Sequence, residues 1–307
     1  MNNPKRSLNR SFYNKILIVM ILGFSFSYSQ SLQDIIEGNH RSSKNKARDE
    51  YRSPLETLQF FGLKDNMTVV EISPGGGWYQ EILAPYLNKN GQYISATYDP
   101  DSDEQRIKDR YKSERDRLNA KKGLYGNAKM VAFKGNAYGE PSSADMILTF
   151  RNYHNWVGNS EFEKLRAMFN TLKPGGILGV TDHRSNSIVD EKGYTCEPCM
   201  IKDAEAIGFI YVGSSQINSN AKDTKDYPGG VWNLPPTLSK NGLDKSILKK
   251  KQKELKKIEI QLNLTKAEQS RKDIDLKWSA TILCEIKLFW LFSTPVTNAE
   301  ASIRFFI

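Results

Sequence analysis

From Pro54 to Leu238, short apolar runs rich in β-branched residues alternate with segments whose apolar positions recur at helical spacing. The stretch Thr68-Val-Val-Glu-Ile72 has no polar face, which suits a parallel strand buried on both sides. It stops at Ser73-Pro74. Three glycines follow, and Trp78 to Leu87 then reads as a helix. Further strands are predicted at Gln92–Thr97, Met130–Phe133, Ala144–Phe150, Ile177–Thr181 and from Phe209 to Val212. Between them come helices at Glu161–Leu172 and at Ile201–Ile207, the second stopped by Gly208. Asp101 to Lys122 is dense in charge and poor in core residues, so it is expected as a solvated helix outside the sheet. A helix at Pro54–Phe61 precedes the first strand, and Lys173-Pro-Gly-Gly176 is expected as the turn into the fifth. The alternation implies an α/β domain: a doubly wound, largely parallel sheet of about seven strands with helices on both faces. Ligands of such sheets sit beyond the carboxyl ends of the strands, near the point where the strand order reverses.

The flanks divide the chain further. Residues 30–53 are polar and charged, expected as a linker running into a short helix, with the α/β domain over 54–238. Residues 239–307 form a tail with a lysine-rich helical stretch, Ser246–Lys272, and an apolar one, Trp278–Phe292. The latter is either a terminal strand or a packing segment. Residues 1–29 carry Lys5, Arg6, Arg10 and Lys15, then the run Ile16 to Phe26 and small residues at Ser27 and Ser29. That order is a secretory signal with cleavage after Ser29, and the run is too short for a comfortable membrane span. An uncleaved anchor is the alternative. The expected location is therefore the periplasm or the extracellular space, with no stable membrane span after cleavage.

Charge changes this picture little. The net +9 is held by the four bases of the signal and by a surplus in 244–277, where eleven Lys/Arg face six Asp/Glu. The rest is formally neutral, so capture of nucleic acid is not expected. The Cys196-Glu-Pro-Cys199 pair has redox spacing without a thioredoxin-like setting; an exported chain permits a structural disulfide there. No second Cys/His pair accompanies it, so no metal site is expected.

The chemistry gathers at strand ends. A strand, a glycine turn and a helix start at Ser73–Trp78 present bare backbone N–H groups to an anionic or polar ligand, with Glu71 beneath the turn to accept hydrogen bonds.

The segment Val70-Glu-Ile-Ser-Pro-Gly-Gly-Gly-Trp-Tyr79 resembles the first motif of class I S-adenosylmethionine-dependent methyltransferases. Leu172-Lys-Pro-Gly-Gly176 resembles the turn before their fifth strand. With Leu148 to Trp156, Asp182-His-Arg184, Lys222 to Asp226 and Gly230 to Pro236, the chain is more closely similar to a family of predicted exported methyltransferase-like proteins. The likeness covers Pro54 to Leu238; Ser73 stands where the first glycine is usual, and the tail does not match the family's closing segment.

The resemblance implies a Rossmann-like fold that binds S-adenosylmethionine and methylates a small molecule. It implies that Gly75 and Gly77 admit the methionine part of the cofactor, over Glu71. Asp99 would take the ribose hydroxyls, Asn136 and Ala137 would border adenine, and Arg151 would join the cofactor site. His154 is the candidate general base, its ordinary pKa being about 6.5. His183, between Asp182 and Arg184, is a second candidate or part of an ion-pair network. Tyr153, Trp156 and Trp232 either wall the substrate or pack the core. Two other functions fit an α/β glycine turn: a non-catalytic small-ligand binder, and a nicotinamide-dependent oxidoreductase. The second is weaker because the glycine spacing is not G-x-G-x-x-G.

Overall fold

The computed structural model describes residues 30–133, 135–188, 190–234 and 304–306. The expected signal, the lysine-rich stretch and Trp278–Phe292 lie outside the described residues. Among the described residues seven strands form one sheet: β1 (Thr68–Ile72), β2 (Gln92–Thr97), β3 (Lys129–Ala132), β4 (Ala144–Phe150), β5 (Leu172–Thr181), β6 (Ile210–Gly213) and β7 (Arg304–Phe306). Their order is β3-β2-β1-β4-β5-β7-β6. Every pairing is parallel. The chain moves outward from β1 through β2 to β3, then returns to β4 on the other side of β1, so the crevice where the order reverses lies between β1 and β4.

Each face of the sheet carries its own core. On one face Val70, Ile72, Ile147, Leu178 and Val180 meet Leu165 and Met168 of α7 (Glu161–Thr171) and Met200 and Ala204 of α8 (Glu197–Ile207). On the other, Val69, Tyr93, Met146 and Leu148 meet α1 (Leu32–Glu37), α3 (Pro54–Phe60) and α4 (Gln80–Leu87). The alternation of Val69 and Val70 between the two clusters is the period of a strand buried on both faces. α8 starts at Cys196, which is disulfide-bonded to Cys199, and ends on Gly208 at φ 117°. Among the described residues no helix is long and apolar enough to cross a membrane.

The structure adds detail to three expectations. Residues 30–53, expected as a linker running into a short helix, hold α1, which buries Leu32, Ile35 and Ile36, and Arg41, itself buried, is held by Asp49 at 2.6 Å. After the one-turn helix α2 (Ser43–Lys46), this segment stays packed against the domain, with Trp78 Nε1 donating to Asn45 O at 2.8 Å. The charged helix α5 (Gln105–Ala120) buries Glu114 and Leu118, and a further one-turn helix, α6 (Lys122–Tyr125), buries Tyr125. The turn expected at Lys173–Gly176 is instead the start of β5, absorbed by a register shift opposite Ala144 and Met146.

Candidate functional site

The glycine turn links β1 to α4 through three residues in the left-handed region: Ser73 (φ 52°), Gly75 (φ 57°) and Gly77 (φ 76°). A side chain at Gly75 or Gly76 would meet nothing within 4 Å, so this backbone fronts open space. Gly77 differs. A Cβ there would lie 2.6 Å from Arg117 Nε, so the bare backbone makes room for α5. This packing has a cause the sequence does not display. Arg117 donates to Gly75 O at 3.0 Å and to Gln80 Oε1 at 2.6 Å, and it pairs with Glu114. Glu114 also accepts from Gln80 and from Ser95 Oγ. A buried polar network thus braces the turn from behind, and α5, expected as a bystander, supplies half of it.

Glu71 lies in the same layer, buried beneath the turn, and accepts from Tyr93 Oη at 2.7 Å. Burial pushes its carboxyl up to about 8, against the pull of the Tyr93 hydrogen bond. Among the described bonds its partner is this tyrosine on β2 and not the turn. At the crevice between β1 and β4, Asn152 Nδ2 lies 3.2–3.3 Å from Ile72 O, Ser73 O, Thr149 Oγ1 and Phe150 O. One amide therefore fastens the ends of both strands. Asp99 follows β2, partly exposed, and forms a local turn in which Asp101 N–H donates to its Oδ1 at 3.0 Å. Asn136 is exposed after β3, with its carbonyl accepting from Asn170, and Ala137 beside it is half-buried.

On the far side of the crevice, Asp182 ends β5 and binds the short helix Tyr153–Asn155 that follows β4. Its Oδ1 meets His154 Nδ1 at 2.7 Å and its Oδ2 accepts His154 N–H at 2.9 Å. His183 N–H adds a third bond, at 2.8 Å. Burial pushes the Asp182 carboxyl up, but the bonds and charge of His154 outweigh it and hold the group below its ordinary value. His154 itself is 7 % exposed. Burial lowers the neighbouring His183 to about 4, so its ring is neutral at pH 7 and a weak base. Of the three aromatic candidates, Tyr153 and Trp156 belong to the core, and exposed Trp232 lies edge-on to His154 at 5.9 Å.

A cavity of about 880 Å3 opens beside this group, between the ends of β4 and β5, the Arg48–Phe61 segment and the loop after β6. His183 and Asp182 line it; His154 does not. Arg151 also lines it, whereas Gly75, Gly77, Asp99, Asn136 and Ala137 do not. The residues expected to form one cofactor site are therefore divided, with Arg151 on the far side of the crevice. Its φ of 60°, uncommon outside glycine, comes with a hydrogen bond from its N–H to Thr181 O at 2.7 Å. Two lining residues escaped the sequence argument altogether. Arg48 and Arg52 lie in the supposed linker, and only the one-turn spacing of two arginines marked them. Among the described residues no cluster of His, Cys, Asp or Glu is suited to a metal ion.

No family model matches the sequence, and no curated protein matches it. Solved structures do resemble it. A SAM-dependent methyltransferase from Aquifex aeolicus is 18% identical, with a TM-score of 0.42, over 59% of this chain and 89% of that one. An arsenic(III) S-adenosylmethionine methyltransferase from Chlamydomonas reinhardtii is 16% identical, with a TM-score of 0.37, over 52% of this chain and 62% of that one. An O-methyltransferase family protein from Burkholderia thailandensis is 14% identical, with a TM-score of 0.39, over 65% of this chain and 64% of that one. This chain thus spans less than two thirds of the length of the last two.

Proposed function

We propose that the protein is an S-adenosylmethionine-dependent methyltransferase acting on a small molecule. The observation that carries this is the glycine turn. At the crevice between β1 and β4, Gly75 and Gly76 present backbone with open space in front. A carboxylate, Asp99, follows the adjacent strand, where an acid can take both hydroxyls of a ribose. Glu71 and the Arg117 network support the turn without entering that space. The adenosyl group would lie over the ends of β1 to β3, bordered by Asn136 and Ala137, with the acceptor over β4 and β5. Methyl transfer is an in-line displacement at a sulfonium carbon, so the protein chiefly has to hold two reactants in line.

Calorimetric titration with S-adenosylhomocysteine, run beside NADH, tests this. Micromolar binding of the first that Asp99→Ala abolishes is the expected result; binding of NADH alone, or of neither, removes the proposal. A non-catalytic ligand-binding protein is the second reading, favoured by the burial of His154 away from the cavity. Cofactor binding without turnover across a panel of acceptors would select it. The Cys196–Cys199 disulfide supports export to an oxidising compartment, periplasmic or extracellular.

A further inference from the structure

We infer that the cavity beside Arg151 is a binding site for a small molecule bearing at least two negative charges, carboxylate or phosphate, gripped by Arg48, Arg52 and Arg151. All three arginines line it. None forms a hydrogen bond or ion pair through its guanidinium with any described residue. Most other charged lining groups have partners: Arg184 with Glu197 at 2.6 Å, Asp182 with His154, Asp223 with Tyr194 Oη at 2.9 Å and Lys225 with Asn186 at 2.6 Å; Lys222 adds a further cation to the wall. Glu50, on the rim, is exposed. The guanidiniums also crowd one another. Burial first, then repulsion from Arg151 and Arg48, lowers Arg52 to about 9; burial and Arg48 lower Arg151 against the smaller opposing pull of Tyr79 and Asp182.

Half-buried like charges with no carboxylate paired to them cost stability, and a ligand can supply the missing charge. Guanidinium forks suit carboxylate and phosphate oxygens in paired hydrogen bonds. Their placement is also fixed. Arg52 Cζ lies over the Trp78 ring, 4.6 Å from its centre, and Arg151 is set by its left-handed backbone. The ligand is a second one, distinct from the adenosyl cofactor, because the cavity excludes the glycine turn and Asp99. Calling it the methyl acceptor rests on the function proposed above; its binding does not. An acceptor that arrives charged also fits a site whose accessible imidazole, His183, is a weak base.

The test is calorimetric titration of the full chain with inorganic pyrophosphate and with citrate, at ionic strength matched with sodium chloride. One or both should bind, and the tighter of the two identifies phosphate or carboxylate chemistry. Arg151→Gln and Arg52→Gln should each weaken binding by about tenfold or more, as expected for a lost charge-assisted pair. Lys112→Gln, at an exposed cation on α5, should not. Arg151→Gln should also melt no lower than the parent protein, since it relieves repulsion. Failure of both anions to bind, equal weakening by Lys112→Gln, or a marked loss of stability in Arg151→Gln would overturn the inference. So would displacement of the anion by saturating S-adenosylhomocysteine. If the anion binds but S-adenosylhomocysteine does not, the anion site stands and the methyltransferase proposal falls.

Discussion

Asp182 holds His154 at two points, its Oδ2 on the backbone N–H at 2.9 Å and its Oδ1 on the ring Nδ1 at 2.7 Å. An ionised carboxylate only accepts, so Nδ1–H is the donor in this pair. The pair ties the helix after β4 to the end of β5 and fixes the ring plane. The Asp182 side chain is 4 % exposed, so the bond is shielded from water.

Removing one partner from this pair should be costly. Asp182→Ala strands the His154 and His183 N–H groups and should lower unfolding free energy by about 3 kcal/mol. A double-mutant cycle of Asp182→Asn with His154→Ala, read by urea unfolding, should give a coupling of about 1–3 kcal/mol. Additive single effects would show that the contact contributes little.

Two buried groups give stability opposite pH slopes. His183 has an ordinary value of 6.5 and is lowered by burial to about 4 in the fold. Between those values the unfolded chain takes up the proton, so stability falls as pH drops, by about 3 kcal/mol over the full range. Glu71 is raised from 4.5 to about 8. Here the folded state keeps the proton, so the contribution is whole below 4.5 and is lost as pH rises to about 8. Melting curves from about pH 4 to 9 should show His183→Gln flattening the acid limb and Glu71→Gln the limb above it.

The adjacent glycines should separate stability from binding. Gly77→Ala meets Arg117 at 2.6 Å and keeps a positive φ, so it should cost about 2 kcal/mol in unfolding experiments. Gly76→Ala has neither problem and should melt like the parent protein, yet lose affinity for S-adenosylhomocysteine by crowding the open face. Comparable destabilisation by both substitutions would mean that the turn is structural throughout.

Asn152→Ala frees the ends of β1 and β4 at once. Its amide has two protons for four acceptors, so about 1–2 kcal/mol of stability should be lost. Hydrogen exchange of the backbone from Ser73 to Gly77 should accelerate more than that of α8, which makes no described hydrogen bond to Asn152.

The sequence alone determined most of the sheet, though not β7, which comes from the tail beyond residue 238. The boundaries of β1, β2 and β4 match the residues read from hydrophobic runs, because strands buried on both faces leave a continuous apolar signal that turns interrupt. The glycine turn was legible too, since Gly75 stands where only backbone without a Cβ is unstrained. Single charged residues gave no such signal. Arg48 and Arg52 looked like parts of a polar linker, Arg117 like one more cation on a solvated helix, and Glu71 like a partner of the turn above it. Their roles depend on which distant side chain each meets: Arg117 the glycine carbonyl, Glu71 the hydroxyl of Tyr93, and the arginines a cavity shared with Arg151. Periodicity reports which face of an element is buried. Only the packing of elements far apart in sequence decides which charges are paired and which are left facing a cavity.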